Sequence, residues 1–401
     1  MKLKSQPEDF VVVEENTVSW DEKGAFAVYR VVKTGLNTLD VIDAMVEALQ
    51  TTRSRVNYSG LKDRHAHTEQ IVTVLHGPRK DVGGDNWHAE FQGRARHPVK
   101  PSTMIGNRFT ITLRAVRPDE IPVVRTVIER VRATGLPNYF DDQRFGSARH
   151  GQGFFARSAI RGEWEEALRL TIGCPARKDS ARDKRARSLI RDHWGKWKQL
   201  IEMLPRTHER AIVQHLAEHP GDWHGACNRV DRHLMGLMLV AYQSWLWNEV
   251  AAEFLREKVK DIEELGYSRG TFVYPLSLTP EEEAVVRDRD FPVPCHRTEW
   301  KNADERARFE RLLAREGLKI ENFKVDLEKH TFRAFRRPLL VRPAGLSIGA
   351  FEDDPLNPGL QFFRLNFSLP KGSFATVLIK AIQRRKVVDG EESAESDEDA
   401  E

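Results

Sequence analysis

Cysteine is scarce in this chain of 401 residues, which contains three, at positions 174, 227 and 295. They form no CxxC pair, so their spacing indicates neither a zinc ribbon nor a disulfide framework. The chain also lacks a GxGxxG motif after a predicted strand and a GxxxxGK[ST] loop, through which many enzymes bind dinucleotides or nucleotide phosphates. No motif therefore indicates a redox or nucleotide-dependent enzyme, and we expect reduced thiols, as in the cytoplasm.

Long apolar segments are absent as well. Hydrophobic residues make up 40% of the chain, but no run approaches the roughly 20 apolar residues that a helix needs to cross a bilayer. Residues 1–6 contain two lysines and no apolar stretch, so they do not resemble a secretory signal. The sequence predicts a cytoplasmic protein with no membrane partner.

The charge is distributed unevenly along the chain. The formal net charge is only +3, but residues 389–401 hold eight acidic residues and no basic ones, so the rest of the chain carries about +11. A surplus of this kind favours a polyanionic partner. Because the acidic segment has almost nothing to bury, we expect it to be a disordered tail.

A second concentration of positive charge lies in the middle of the chain. Residues 177–210 contain eleven lysines or arginines and five acidic residues, within a region of mainly helical spacing from 161 to 259. Trp194 and Trp197 interrupt this basic run. They either stack on nucleic acid or anchor the core of a helical domain. The charge itself favours RNA.

The two ends of the chain are rich in predicted strands. Hydrophobic patterning predicts helices after Asn37 and over residues 122–133, and strands over residues 10–14, 25–32, 70–75, 108–113 and 363–369. Residues 374–379 are expected to return as the second arm of a hairpin and to complete the same sheet. We therefore predict an α+β fold with a mixed or antiparallel sheet, interrupted by a mostly helical insertion.

One short segment contains a distinctive arrangement of charges. In Gly60-Leu61-Lys62-Asp63-Arg64 a carboxylate stands between two cations. Because neighbouring positive charge lowers a carboxyl pKa, we expect Asp63 to be an anion, suited to act as a nucleophile, a base or a metal ligand. Gly60 is expected to permit a tight turn. Taken alone, the segment is more typical of a charged surface turn.

Six segments, in order along the chain, resemble motifs of the TruD family of pseudouridine synthases. They extend from residue 7 to residue 376, so the resemblance covers nearly the whole sequence. The segments are PEDFVVVE at 7–14, GLKDRHAHTEQ at 60–70, GNRF at 106–109, NYFDDQRFG at 138–146, AYQSWLWN at 241–248 and LPKGSFAT at 369–376.

The resemblance implies a domain organisation and an activity. A pseudouridine synthase catalytic domain would comprise residues 1–134 and 341–388, an inserted TruD-specific domain residues 135–340, and the acidic tail residues 389–401. The implied activity is that of a tRNA pseudouridine synthase, an isomerase that acts on RNA and needs no cofactor and no metal. The implied target is uridine 13 of tRNA.

The resemblance also assigns the chemistry to particular side chains. Asp63 would be the catalytic residue, which either attacks C1′ of the ribose or removes a proton from C2′ to give a glycal; the sequence leaves both routes open. Phe109 would stack on the detached uracil, and Asn107 would contact the base edge or the ribose.

Four further substrate-binding residues are expected with these. Phe10 and Phe374 would line the pocket, although phenylalanine more often packs in a core. Lys4 occupies a family position for contact with the site. Arg144 is expected either to bind a phosphate with two parallel bonds or to form an ion pair within the protein, for example with Asp63.

Three other functions are compatible with parts of the sequence. His215 and His219 fit the HxxEH spacing of zinc metallopeptidases, although Pro220 would end that helix. Asp63 with Glu69 would offer the two carboxylates of a hydrolase of glycosidic bonds. The basic body alone is compatible with a non-catalytic RNA-binding protein.

Overall fold

The computed structural model describes residues 1–148, 152–175, 179–205, 207–328 and 330–384. The chain divides into two compact units, of which the first is Met1–Leu136 with Val341–Gln383 and the second is Pro137–Leu340. The sequence predicts divisions after residues 134 and 340, and the structure divides the chain after residues 136 and 340. The expected acidic tail, at 389–401, lies outside the described residues.

The first segment of the first unit consists mainly of strands. Each predicted strand in it is present, with ends extended by a few residues. In β2 and in the first half of β5 alternate side chains are buried, because successive residues of a strand point to opposite faces of the sheet. The elements are β1 (Lys2–Leu3), β2 (Phe10–Asn16), β3 (Phe26–Thr34), α1 (Thr38–Ala48), β4 (Val56–Tyr58), β5 (His67–Leu75), β6 (Val82–Gly84), β7 (Trp87–Ala95), β8 (Met104–Val116) and α2 (Ile121–Thr134).

The second unit is mostly helical, as the sequence predicts, with a few short strands. The chain enters it in β9 and leaves it in β14. The elements are β9 (Leu136–Pro137), α3 (Phe155–Ile160), α4 (Trp164–Leu168), α5 (Ala181–Asp192), α6 (Trp197–Met203), α7 (His208–Glu218), α8 (Trp223–Cys227), α9 (Arg232–Lys258), β10 (Ile262–Tyr267), β11 (Gly270–Pro275), α10 (Pro280–Val286), β12 (Asp290–Val293), α11 (Ala303–Arg315), β13 (Phe335–Pro338) and β14 (Leu340–Val341).

The last segment returns to the first unit and completes its sheet. It contains β15 (Ala344–Ile348), β16 (Glu352–Asp353), β17 (Gln361–Pro370) and α12 (Ala375–Gln383). The strand order of the main path is β15-β17-β8-β2-β5-β3-β7-β6. The pair β2 and β5 is parallel and its neighbours are antiparallel, so the sheet is mixed. The predicted fold class is confirmed.

The predicted hairpin at the end of the chain is wrong. The segment that follows β17 forms the helix α12 rather than a strand, and β17 pairs with β8 and β15 instead. Gly372 has φ 83°, a left-handed value that turns the chain out of the sheet. Beyond it, Val377, Leu378 and Ile382 are buried at helical spacing. A short apolar run is compatible with a strand or a helix, and the burial of these residues at helical spacing shows that this one is a helix.

Tryptophans 194 and 197 lie in the helical unit and pack against each other. Their ring centroids are 5.0 Å apart, and Trp194 stacks on Trp223 at 5.9 Å. The indole nitrogen of Trp194 donates to Glu165 at 2.9 Å. Of the two interpretations left open by the sequence, these contacts favour core anchoring.

The described residues include no helix that is both long enough and apolar enough to cross a membrane.

Candidate active site

Asp63 lies in the loop between β4 and β5, where its carboxylate forms an ion pair with Lys4. The side chains of Asp63 and Lys4 are 29% and 19% exposed, so the pair is partly buried but open to a ligand. The backbone N–H of His65 also donates to Asp63, at 3.1 Å. Burial raises the pKa of the Asp63 carboxyl, but the hydrogen bond and charge of Lys4, with the His65 N–H, outweigh burial and hold this pKa below its ordinary value.

Lys4 is held in position by the turn between β1 and β2. Its φ of 58° is left-handed, which is uncommon for a residue with a side chain. The turn is anchored by Asp9, whose two carboxylate oxygens accept from Nε of Arg114 at 2.9 and 2.8 Å. Arg114 also pairs with Asp354 at 3.1 Å. This buried network fixes the segment that carries Lys4, and it is paired on both sides, as buried charges require.

Aromatic side chains form one wall beside this ion pair. The Nζ atom of Lys4 lies 4.3 Å from the ring centroid of Phe10. Phe10 meets Phe109 edge to face at 6.2 Å, and Phe109 stacks on Phe367 at 5.3 Å. Phe10 and Phe109 lie on the adjacent strands β2 and β8. Phe10 pairs with Ile111, which is two residues from Phe109, so all three side chains point to the same face of the sheet.

Asn107 lies two residues before Phe109 in β8 and therefore on the same face of the sheet. It pairs in register with Glu14 of β2 and with Leu369 of β17. Its side-chain oxygen is buried and has no hydrogen-bond partner among the described residues. Buried polar atoms are normally paired, so this oxygen is an unsatisfied acceptor on the face that carries Phe109. Phe374 is half-buried and follows β17 in the same unit, immediately before α12.

Glu14 is a site residue that the sequence did not reveal. Its side chain is fully buried and accepts hydrogen bonds from Ser59 and Lys62, the latter as an ion pair. Asn16 donates to its other oxygen at 3.0 Å. Glu14 therefore ties the loop that carries Asp63 to the strand that faces Asn107. Glu14 is the last residue of the PEDFVVVE segment, but neither that segment nor its place in a predicted strand indicated its partners.

The loop is fixed at further points by its backbone. The backbone N–H of Lys62 donates to the hydroxyl of Thr38 at 2.9 Å. The ammonium of Lys33 donates to the carbonyl oxygens of Asp63 and Leu36, both at 2.7 Å. Burial lowers the pKa of Lys33 to about 8, although the charge of Asp63 raises it. The carboxylate of Asp63 is thus held on a loop bonded to β3 and to the start of α1.

The expected source of positive charge at Asp63 is wrong. The sequence pointed to its neighbours Lys62 and Arg64, but Lys62 turns inward to Glu14 and Arg64 is exposed. The charge comes from Lys4, which is 59 residues away in sequence. Gly60, expected to allow a tight turn, does not have a left-handed φ.

Arg144 belongs to the second unit. It lies in the 3-10 helix Asp142–Ala148, and its guanidinium carbon is 5.6 Å from the ring centroid of Phe140. Burial lowers the pKa of Arg144.

The HxxEH segment brings its two imidazole rings within 4.8 Å of each other, but not on one helix as a metallopeptidase does. Helix α7 ends at Glu218, so His219 lies outside it. His215 Nε2 hydrogen-bonds to Asp222 at 2.7 Å. The described part of the chain contains no group of three or more histidine, cysteine or acidic side chains arranged to hold a metal ion.

Comparisons with known proteins match nearly the whole chain to one family. A model of the family described as tRNA pseudouridine synthase D (TruD) matches residues 1–275 and 277–382. The chain is 32% identical over 391 residues to the probable tRNA pseudouridine synthase D 1 of Methanococcus maripaludis, with 95% of this chain and 99% of that protein covered. It is 31% identical over 394 residues to the probable tRNA pseudouridine synthase D 2 of Methanocaldococcus jannaschii, with 95% and 91% covered.

A solved structure has the same fold. The crystal structure of the putative tRNA pseudouridine synthase D from Methanosarcina mazei superimposes with a TM-score of 0.72 at 24% identity, covering 96% of this chain and 94% of that one. The chain belongs to the TruD family of tRNA pseudouridine synthases, isomerases that convert uridine to pseudouridine in tRNA.

Proposed function

We propose that Asp63 is the catalytic residue of this isomerase and that its target is uridine 13 of tRNA. The observation that carries the proposal is the partly exposed Lys4–Asp63 ion pair beside the wall of Phe10 and Phe109. A carboxylate that stays ionised, open to a ligand and next to aromatic rings is suited to act on the sugar of a nucleotide whose base those rings receive.

The carboxylate acts on the ribose by one of two routes. In the first, an oxygen of Asp63 attacks C1′, the C1′–N1 bond breaks and the electron pair leaves with the uracil. The uracil turns, C5 attacks C1′, and the bond to Asp63 breaks. In the second, Asp63 removes the C2′ proton and the C1′–N1 bond breaks, which gives a glycal and a uracil anion; C5 then adds to C1′, and Asp63 returns the proton to C2′. In both, C5 loses its proton and N1 gains one, so no redox step, cofactor or metal is required.

The surrounding side chains have distinct tasks in this proposal. The detached base must neither diffuse away nor be lost to water. Phe10, Phe109 and Phe374 enclose it, and the buried oxygen of Asn107 accepts from the N–H of the base or from a ribose hydroxyl. Lys4 keeps the carboxylate ionised and so maintains its nucleophilic or basic form.

The remaining assignments concern RNA binding and the cellular compartment. Arg144 binds a phosphate of the tRNA, for which a guanidinium is well suited. The first unit serves as the catalytic domain and the second as the inserted domain of the family. The protein works in the cytoplasm, a reducing compartment that suits a chain with only three cysteines and no CxxC pair.

Pseudouridine mapping tests the proposal. Unmodified tRNA is incubated with the wild type, with Asp63→Asn and with Asp43→Asn, whose side chain is 70% exposed and serves as a matched control. We expect pseudouridine at position 13 with the wild type and the control, and none with Asp63→Asn, because an amide is neither a nucleophile nor a base at neutral pH.

Three results would contradict the proposal in different ways. An active Asp63→Asn variant would exclude the assigned catalytic role. Pseudouridine at a different position would exclude the assigned target. If the wild type and Asp63→Ala bind tRNA equally and neither modifies it, the chain is an RNA-binding protein that lacks activity.

A further inference from the structure

Lys4 lies where the chain leaves the sheet between two pairings with the same strand. β1 ends at Leu3, paired with β8, and β2 resumes pairing with β8 at Phe10. Residues 4–9, which we call the N-terminal loop, therefore stand opposite only Thr112 of β8. Lys4 begins this loop with a left-handed φ of 58°. Because such a backbone costs free energy, it persists only where its surroundings fix it.

Strand β8 is irregular beside this loop. On the edge that faces β17, Arg114 and Ala115 stand opposite the single residue Phe362, which makes a bulge. Ala115 has a left-handed φ of 54°. Bulges redirect side chains and occur often beside active sites. The side chain at this bulge is that of Arg114, which is only 9% exposed.

The guanidinium of Arg114 joins two buried carboxylates, one near each end of the chain. Asp9, the last residue of the N-terminal loop, accepts from its Nε atom with both oxygens, at 2.9 and 2.8 Å, and from the N–H of Gln6 at 3.2 Å. Asp354, in the last segment of the first unit, accepts from the same guanidinium at 3.1 Å. Asp9 and Asp354 are 1% and 3% exposed. The far end of the N-terminal loop is thus tied to residue 354.

The carboxylate of Asp354 is surrounded by hydrogen-bond donors. Besides Arg114, it accepts from the backbone N–H groups of Ala115 and Leu356, at 2.9 and 3.0 Å, and from the side-chain amide of Asn357 at 2.9 Å. Burial raises the pKa of this carboxyl, but these hydrogen bonds outweigh burial and hold the pKa below its ordinary value. Asp354 is therefore an anion that uses both oxygens as acceptors.

The N-terminal loop determines where the ammonium of Lys4 lies. That ammonium pairs with Asp63, and its Nζ atom is 4.3 Å from the ring centroid of Phe10. The other titratable groups that act electrostatically on Asp63 are His65 and Lys33, which belong to the loop after β4 and to β3. A displacement of the N-terminal loop would therefore change the electrostatic surroundings of Asp63 through Lys4.

We propose that Arg114 and Asp354 are positioning residues for the reaction, which fix the N-terminal loop and so hold the ammonium of Lys4 against Asp63. The inference rests on the proposed function, in which Asp63 performs the chemistry. Neither Arg114 nor Asp354 lies in one of the six motif segments, and neither contacts the substrate. A residue in the last segment of the chain thereby helps to keep the catalytic carboxylate ionised.

The test measures the ionisation of Asp63 in the free enzyme, by carbon-13 NMR of its carboxyl group, assigned with Asp63→Asn. The first variant is Asp354→Asn, because an amide has one acceptor oxygen and turns an NH₂ group towards donors. We expect the pKa of Asp63 to rise, since Lys4 is no longer held against it, and the acid side of the pH–rate profile to move to higher pH. Loss of a negative charge alone would lower this pKa, so the direction of the shift separates the two effects.

A second variant and a double-mutant comparison show whether the effect passes through Lys4. Arg114→Lys keeps the positive charge but loses the planar fork that reaches two carboxylates, so it should also raise the pKa of Asp63. In a Lys4→Met background neither change should shift this pKa further. A general loss of stability would not depend on Lys4 in this way.

Asp119→Asn is the matched control. Asp119 also pairs with an arginine, Arg117, but its side chain is 71% exposed, so its replacement should leave the pKa of Asp63 unchanged. The inference is overturned if Asp354→Asn and Arg114→Lys leave this pKa unchanged, or if they raise it as much in the Lys4→Met background as in the wild type.

The same experiment separates this inference from the proposed function. An active Asp63→Asn variant contradicts the proposed function and the inference with it. An active wild type, an inactive Asp63→Asn and an unchanged pKa of Asp63 in both variants contradict the inference alone.

Discussion

Replacing Lys62 with methionine is expected to lower the free energy of unfolding of the first unit by about 3 kcal/mol. The side chain of Lys62 is 6% exposed, and that of its partner Glu14 is completely buried. Methionine fills a similar volume but leaves the carboxylate of Glu14 without its counter-ion. Breaking a buried ion pair from one side typically costs about 3–5 kcal/mol.

The lower end of this range applies because Glu14 keeps two other donors. Ser59 and Asn16 still donate hydrogen bonds to its carboxylate. Replacing both members of the pair, as in Glu14→Gln/Lys62→Met, removes the buried charge altogether and should recover most of the loss. We therefore expect a coupling free energy of roughly 2 kcal/mol between the two positions.

Hydrogen exchange at increasing urea concentration, followed in peptides from β2 and β8, measures the stability of the first unit separately from that of the second. The control is Arg30→Met, which breaks the exposed pair of Arg30 and Glu90, whose side chains are 45% and 40% exposed. That change should cost less than about 1 kcal/mol. If Lys62→Met costs no more than this control, the buried pair does not stabilise the loop that carries Asp63.

Two further predictions concern ionisation and packing. In the wild type, the reaction rate should fall as the pH drops through the lowered pKa of Asp63. Lys4→Met removes the cation that lowers this pKa and leaves burial, which raises it, so the fall in rate should move to higher pH. A pH–rate profile measures this shift, and an unshifted profile would contradict the role of Lys4. In the second unit, the buried Asn248 donates to the carbonyl of Phe140 at 2.8 Å and accepts from its N–H at 2.9 Å. Asn248→Ala should lower the stability of that unit by about 2–3 kcal/mol in urea unfolding, while Gln214→Ala, on the surface, should be neutral.

Local patterns were sufficient to predict most of the sheet. The strands around Phe10 and Phe109 combine β-branched residues with alternation, and both properties depend only on neighbouring positions. The motif containing Asp63 could likewise be recognised from its own residues. The helix after Ser373 could not, because a short apolar run has no period long enough to separate a strand from a helix.

The electrostatics of the site depended on long-range contacts, which single-sequence reasoning does not supply. Asp63 and Lys4 are 59 residues apart, and Glu14 and Lys62 are 48 residues apart. Lys4 follows β1, which pairs with β8, and Glu14 lies in β2, so both pairings come from the arrangement of the sheet rather than from sequence neighbours. Lys62 is adjacent to Asp63 in sequence and has the opposite charge, but its side chain pairs with Glu14 instead.

The placement of β17 has a consequence for synthesis on the ribosome. About 245 residues separate the end of β8 from the start of β17, its hydrogen-bonded neighbour. At roughly 5–20 residues per second, a nascent chain displays an open edge of β8 for roughly 12–50 s. Unpaired edges promote aggregation. Production of this enzyme should therefore respond to chaperone supply and to translation speed across the intervening helical region.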